Sequence, residues 1–162
     1  MTKEVLGVDV GGVLISKAHD GTDTSFFSDQ FLETPMVTDA FATLARLSQE
    51  RFRDDIHLVS KCGPRTQAKT KLWLAHRRFE EITGIPLAQV HFCRERRDKA
   101  PICKRLGVSH FIDDRLEVLG YLTTVSQRYL FMPDEQETQR HARHLAGVRV
   151  VRSWAEIAAD LL

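Results

Sequence analysis

Acidic side chains lie at the ends of two short apolar runs of the sequence. Asp9 lies at the end of the run 5–10, and Asp113 and Asp114 end the run 111–114. A positioned carboxylate can attack a phosphorus atom and form an aspartyl-phosphate. Because a carboxylate and a phosphate repel each other, the reaction needs a bridging cation, and paired carboxylates offer the hard oxygen ligands that Mg²⁺ takes. These residues predict a phosphoryl-transfer site with Asp9 as the nucleophile and Mg²⁺ as the cofactor.

A serine and a lysine supply further groups for this chemistry. Phosphoryl transfer needs positioning and charge neutralisation more than covalent chemistry from the protein. Ser60 ends the apolar run 56–60, and its hydroxyl can donate a hydrogen bond to a phosphoryl oxygen. Lys99 can neutralise the phosphoryl oxygens and Asp9, and Lys104, which lies one turn later, is the alternative lysine. Asp9, Ser60 and Lys99 are the predicted catalytic residues. The alternative is a structural role, with Asp9 and Ser60 in turns at strand ends and Asp113-Asp114 at a helix N-cap.

The sequence alternates short apolar runs with amphipathic stretches, which is the pattern of strands joined by crossover helices. The predicted strands are 5–10, 56–60, 90–93, 111–114, 128–131 and the edge strand 148–151. The predicted helices are 34–47, 66–83, 99–106, 116–125, 135–145 and one opened by the capping box of Ser153 and Glu156. The pattern indicates an α/β fold, a Rossmann-like parallel sheet of five to six strands with helices on both faces. We expect a single domain over residues 1–162.

Two helices have features specific enough to test. Thr34 is the predicted N-cap of the first helix, with Pro35 at its first helical position. In the second helix, apolar residues recur at helical spacing and form a predicted apolar face. That face consists of Leu72, Ala75, Phe79 and Ile82.

Cationic side chains gather in the predicted loops that follow the strands. Ligands of parallel α/β sheets bind at the carboxyl ends of the strands. The predicted substrate-binding residues there are Gly11, Gly12, Lys61, Arg94, Arg97 and Arg115. Several cations at one edge fit a substrate with more than one phosphate, such as a nucleotide or a nucleic-acid end. A solvated basic surface is the alternative interpretation.

Four motifs, in this order along the chain, resemble those of the haloacid dehalogenase superfamily. Residues 9–14, DVGGVL, resemble its first motif, D-x-D-G-[TV]-[LV], and Ser60 matches the Ser or Thr of its second. Lys99 suits the lysine of its third motif, and Asp113-Asp114 matches the acidic pair of its fourth. The resemblance spans roughly residues 5–131 and implies a haloacid dehalogenase (HAD)-like fold and a Mg²⁺-dependent phosphatase. It further implies a set of metal ligands, namely Asp9, the backbone carbonyl of Gly11, Asp113 and Asp114.

The first motif departs from the family pattern at Gly11. The family has a second aspartate there, which protonates the leaving group and later activates water. General acid–base catalysis contributes about 10²–10⁴ in rate. Its loss predicts a slow phosphatase or, alternatively, a catalytically impaired homologue that binds a phosphorylated ligand or a partner. A receiver-type phosphoacceptor domain fits less well, because receivers place the acidic pair after the first strand and the phosphoacceptor after the third.

We expect no cap domain, although family members usually carry one. The first insertion point, residues 15–33, is shorter than the ~50 residues of a small domain. One helix and one strand account for the second interval. An open site implies either bulky or macromolecular substrates or a lid from a neighbouring subunit, in which case the protein is a homo-oligomer.

Composition adds broad limits. The 162 residues include 23 Lys and Arg against 22 Asp and Glu, so net charge gives no argument for nucleic acid or membrane as a partner. No stretch reaches the ~18 apolar residues of a membrane span, and three cysteines without paired spacing indicate reduced thiols and a cytoplasmic protein.

Cys62 is not a phosphatase nucleophile of the Cys-x₅-Arg type, because Ala68 stands at the arginine position. His141 and His144 are spaced to share a metal, but without an evident third ligand we interpret them as an exposed helical face.

Overall fold

The apolar runs form a six-stranded sheet in the computed structural model, which describes residues 3–17, 26 and 28–162. The strands are β1 (Leu6–Val8), β2 (Ile56–Lys61), β3 (Val90–Cys93), β4 (His110–Asp113), β5 (Gln127–Phe131) and β6 (Val148–Val151). Their spatial order is β3-β2-β1-β4-β5-β6, and every neighbouring pair is parallel. The predicted α/β, Rossmann-like parallel sheet is confirmed, with six strands.

Helices cover both faces of this sheet. They are α1 (Ala40–Leu47), α2 (Pro64–His76), α3 (Phe79–Thr83), α4 (Lys99–Leu106), α5 (Leu116–Tyr121), α6 (Glu135–Arg140) and α7 (Trp154–Leu161). The core of one face contains buried residues of α1, α2, α3 and α7, and the core of the other contains residues of α4 and α5. Successive strand residues alternate between the two cores, as Leu58 and Val59 do. The alternation follows from the pleat of a strand.

The strand order reverses between the two central strands, β1 and β4. From β1 the chain runs outward through β2 to β3 and then returns to the other side of β1 as β4. Val8 pairs with Ile112 in register, and the amide of Asp9 donates to the carbonyl of Ile112 at 2.9 Å. Asp9 and Asp113 therefore lie at adjoining strand ends, in the crevice where open α/β sheets bind ligands.

Gly7 allows a close contact between these central strands. A Cβ atom at position 7 would lie 2.5 Å from the ring of Phe111, its register partner on β4. Phe111 is fully buried. The ring fits because position 7 lacks a side chain, which is one of the uses of glycine within strands.

The first helix begins later than predicted. It starts at Ala40, so the prediction that Thr34 caps it is wrong. The carbonyl of Thr34 instead accepts hydrogen bonds from the indole of Trp73 at 2.9 Å and from Arg77 at 2.7 Å. Met36 forms a bridge with Ile15. The chain around Thr34 is therefore bound to α2 before it turns into α1.

The predicted helix 66–83 is two helices, α2 and α3. They are separated at Arg78, whose φ of 58° lies in the left-handed region. Leu72 and Ile82, from the predicted apolar face, are 57% and 50% exposed, whereas Trp73 is fully buried. The prediction for Leu72, Ala75 and Ile82 is wrong, because α2 buries Thr70, Trp73 and Leu74 instead and the break at Arg78 interrupts the repeat before Ile82.

The stretch between β2 and β4 consists of α2, α3, β3 and α4 with short connections. In the other expected insertion point, residues 18–25 and 27 lie outside the described residues. The longest helix that the structure describes, α2, has 13 residues. Within the described part of the chain, no helix combines the length and the apolar character needed to span a membrane.

Candidate active site

A tight turn follows Asp9 and shapes one wall of the site. The carbonyl of Val10 accepts hydrogen bonds from the amides of Val13, Leu14 and Ile15, at 3.2, 2.8 and 3.1 Å. Gly12, inside this turn, has a φ of +82°, and a Cβ atom there would collide with the Asp114 carboxylate. Position 12 therefore requires glycine for both its backbone angle and its contact.

Gly11 is under no such constraint. Its φ lies outside the left-handed region, and a Cβ atom at position 11 would meet no atom within 4 Å. The residue is exposed. The turn can therefore accept a side chain where the resemblance places the second aspartate of the first motif.

Three carboxylates meet at the carboxyl ends of β1 and β4. One oxygen from each of Asp9, Asp113 and Asp114 lies within 4.8 Å of the others. The three residues are 7%, 1% and 9% exposed. Asp113 also accepts a hydrogen bond from the amide of Arg115 at 3.0 Å. The acidic residues predicted as metal ligands are thus brought together in a buried cluster.

Lys99 is the lysine of this cluster. Its ammonium donates to Asp9 at 3.0 Å and to Asp113 at 2.8 Å, and the residue is only 2% exposed. Lys99 opens α4 directly after a short turn that reciprocal hydrogen bonds between Glu95 and Asp98 stabilise. Lys104, the alternative, is exposed.

Burial and like charge govern the protonation of the cluster. Burial raises the pKa of Asp9 well above its ordinary value, Asp113 raises it further, and Lys99 opposes both effects. Burial likewise raises the pKa of Asp113. For Lys99, burial lowers the pKa, but the attraction of Asp113 and Asp9 more than offsets it, so its pKa lies above the ordinary value. The ammonium therefore stays charged at neutral pH.

A second ammonium contacts the cluster from the cavity side. Lys17 pairs with the carboxylate of Asp114, and its side chain is 56% exposed. Its Cε atom lies so close to Gly12 that a Cβ atom there would approach it to 2.8 Å. Sequence reasoning missed Lys17, because its partner is 97 positions away. The sequence feature that could have indicated it is the position of this lysine shortly after Gly11 and Gly12.

The donor set fits a hard divalent cation. Three carboxylates with formal charges of −1 outweigh the two ammonium groups that contact them, which leaves a net charge of −1. Mg²⁺ prefers oxygen ligands and usually keeps several of its waters. A position at the rim of a cavity leaves room for those waters. Asp9, Asp113 and Asp114 could hold such an ion, and a Mg²⁺ ion would offset the repulsion between their carboxylates.

A cavity of about 460 Å³ opens above the carboxylates. Most of the predicted catalytic, metal-binding and substrate-binding residues line it. These are Asp9, Gly11, Gly12, Ser60, Lys61, Lys99, Asp113, Asp114 and Arg115. Phe26 and Val118 add apolar surface. Residues of all four sequence motifs thus line one continuous site.

Two predicted substrate-binding arginines lie outside this lining. Arg94 donates to the carbonyl of Cys62 at 2.8 Å and to the side chain of Gln67 at 2.9 Å. Arg97 is exposed to solvent and does not line the cavity. Arg96 lines it instead, at 3.3 Å from the carboxylate of Glu117.

The C-terminal third of the chain supports both loops of the site. The carboxylate of Glu137, in α6, accepts the backbone amides of Leu116 and Glu117 at 2.8 and 2.9 Å. It thereby caps α5 directly after the acidic pair. The indole of Trp154, in α7, donates to the carbonyl of Val13 at 2.9 Å and so holds the turn after Asp9.

His141 has carboxylate neighbours that the sequence did not reveal. Its imidazole lies 3.9 Å from both Glu117 and Glu137. Both oxygens of Glu137 already accept backbone amides, and Glu117 pairs with Arg96. His144 packs against Gly120 instead of joining His141. We interpret the group as part of the support of α5.

A scan of the sequence against protein-family profiles and a search of the curated proteins both find no match. The arrangement joins a buried carboxylate, Asp9, a fixed ammonium and an acidic pair beside an open cavity. A phosphate that entered this cavity would meet Asp9 with cations on several sides, among them Lys17, Lys61 and Arg115. Those are the requirements of phosphoryl transfer.

Proposed function

We propose that the protein is a Mg²⁺-dependent phosphohydrolase that acts through an aspartyl-phosphate on Asp9. The observation that carries the proposal is the buried cluster of Asp9, Asp113 and Asp114 with Lys99, at the switch point of a parallel sheet. The resemblance of the ordered motifs to the haloacid dehalogenase superfamily supports it independently.

The residues divide the reaction between them. Asp9 attacks the phosphorus atom, and the bond from phosphorus to the leaving oxygen breaks with its electron pair. Lys99 holds the attacking carboxylate in place, and the hydroxyl of Ser60 donates to a phosphoryl oxygen. Mg²⁺ bound by Asp9, Asp113 and Asp114 would supply charge neutralisation for the transferred group.

Proton transfer is the weak part of this site. Gly11 has no side chain, so the leaving oxygen takes its proton from water. A second water then attacks the aspartyl-phosphate, releases phosphate and restores the Asp9 carboxylate. Without a placed acid and base, both steps are slow, and substrates with good leaving groups are favoured.

The open cavity and its cations favour a bulky phosphate ester, a nucleotide or a nucleic-acid end as the substrate. The cavity lining includes four cations, Lys17, Lys61, Arg96 and Arg115.

The free cysteines support a cytoplasmic location as part of the same proposal. They are Cys62, Cys93 and Cys103.

Asp9→Asn tests the nucleophile. Phosphate release should be measured on aryl and alkyl phosphates, nucleotides and 3′- and 5′-phosphorylated oligonucleotides, with and without Mg²⁺. We expect Asp9→Asn to abolish Mg²⁺-dependent release, while Asp54→Asn, an exposed change outside the site, leaves it intact. Activity that survives in pure Asp9→Asn protein would refute the assignment.

The metal site has its own test. Calorimetric titration of the wild type with Mg²⁺ should show binding that the Asp113→Asn/Asp114→Asn double variant loses. Unchanged binding in that variant would mean that the ion binds elsewhere.

Gly11 supports a second candidate function, a catalytically impaired homologue that binds a phosphorylated ligand. In that case the wild type binds Mg²⁺ and phosphate but releases no phosphate from any substrate of the panel. Binding and turnover measured on the same preparation separate the two candidates.

A further inference from the structure

We propose that Lys17 is an exchangeable counter-ion, which leaves Asp114 when Mg²⁺ binds and then contacts the phosphate of the substrate. The inference rests on the proposed function and assigns a binding role to a residue outside the four motifs. It would couple the two ligands, because each would bind better once the other is present.

Contact with Asp114 is the first observation. The ammonium of Lys17 pairs with a carboxylate that is 9% exposed and belongs to the candidate metal ligands. Two cations that share one carboxylate repel each other. Binding of a divalent ion by the cluster therefore weakens the hold of Asp114 on Lys17.

Freedom to move is the second observation. The Lys17 side chain is 56% exposed, whereas that of Lys99 is 3% exposed and held by two carboxylates. Because the ammonium end of the pair is largely in solvent, screening weakens its attraction to Asp114, and the lysine side chain retains room to move. Lys99 is thus the fixed cation of the site and Lys17 the movable one.

A destination for the ammonium is the third observation. Lys17 lines the same cavity as Asp9, and its stem lies against Gly12, which has no side chain to block it. A lysine on a flexible stem can turn between two anions a short distance apart. A phosphate bound beside Asp9, as the proposed function requires, would be the second anion within that cavity.

The experiment is a calorimetric Mg²⁺ titration of wild type and Lys17→Met, without and with saturating inorganic phosphate. Without phosphate, Lys17→Met should bind Mg²⁺ about two- to fivefold more tightly, which is the range expected for an ion pair whose lysine is largely in solvent. With phosphate the advantage should disappear, because phosphate draws Lys17 away from Asp114 in the wild type. Lys17→Arg should behave as the wild type does, and so should Lys3→Met, which removes an exposed lysine paired with Asp55 elsewhere.

The outcomes are distinct. Equal Mg²⁺ affinity of Lys17→Met and wild type without phosphate overturns the inference and leaves the proposed function standing. An equal advantage with and without phosphate also overturns it, because Lys17 would then act as a static charge. Absence of Mg²⁺ binding by the wild type in both conditions overturns the proposed function, and the inference with it.

Discussion

Under the proposed function, Gly11→Asp should raise the turnover of substrates with poor leaving groups. The residue two positions after Asp9 is where the resemblance places the general acid, and this chain has glycine there. The structure accommodates the change, since a Cβ atom at position 11 meets nothing within 4 Å and the backbone angle suits any residue. The neighbouring carboxylates would raise the pKa of the new aspartate, which favours its role as an acid.

The expected gain follows from general acid catalysis, which contributes about 10²–10⁴ in rate. At 1.36 kcal/mol per factor of ten, this corresponds to about 2.7–5.4 kcal/mol of barrier. No steric clash at position 11 offsets the gain. An aryl phosphate, whose leaving group needs no proton, should respond much less than an alkyl phosphate.

Steady-state rates on a matched pair of aryl and alkyl phosphates measure the effect. Gly11→Asn is the control, because it has nearly the same shape as aspartate and cannot deliver the proton. Gly12→Ala is the steric contrast, and it should damage the site because its Cβ atom collides with Asp114. Equal wild-type rates on both substrates, with no gain in folded Gly11→Asp, would refute the reasoning and mean that another group supplies the proton.

Three further predictions concern the fold. Gly7→Ala should lower the free energy of unfolding, measured in urea titrations, by about 1–3 kcal/mol through overpacking against Phe111. Burial lowers the pKa of His110. As the pH falls, the unfolded chain therefore takes up a proton on this residue before the folded protein does. The stability due to this group is present above about pH 6.5 and lost as pH falls through the lowered pKa, and His110→Gln should flatten that dependence. Burial raises the pKa of Cys103 to about 12, so iodoacetamide at pH 8 should label it only after unfolding.

Local patterns were sufficient to predict the strands and the acidic cluster. The helix Lys99–Leu106 has the predicted bounds, and its first residue is the predicted site lysine. Asp9 and Asp113 could be placed together because parallel strands bring their carboxyl ends to one edge of a sheet. Such predictions depend on short apolar runs and on the residues that end them, and both are local properties.

Side-chain direction could not be predicted in the same way. Arg94 ends a predicted strand as Asp9 does, yet it bonds to the carbonyl of Cys62 and does not line the cavity. Leu72 lies on the predicted apolar face and is exposed, because α2 packs on the core through Trp73 and Leu74 instead. Lys17 contacts a residue 97 positions away. In each case a contact with a distant part of the chain decides, and a single sequence does not name that part.

Two side chains of the C-terminal third, Glu137 and Trp154, hold the backbone on either side of the site, and this bears on how the proposed activity could be inherited and lost. Residues 134–162 contain none of the four motifs, yet Glu137 fixes the loop after Asp113-Asp114 and Trp154 fixes the turn after Asp9. If the proposed function holds, a descendant could keep every motif residue and still lose the activity by exchanging either of these side chains. A saturation mutagenesis map should therefore contain sensitive positions at Glu137 and Trp154, far along the chain from the four motifs. A comparison of the motif residues alone would not detect the exchange of Glu137 or Trp154 in a relative.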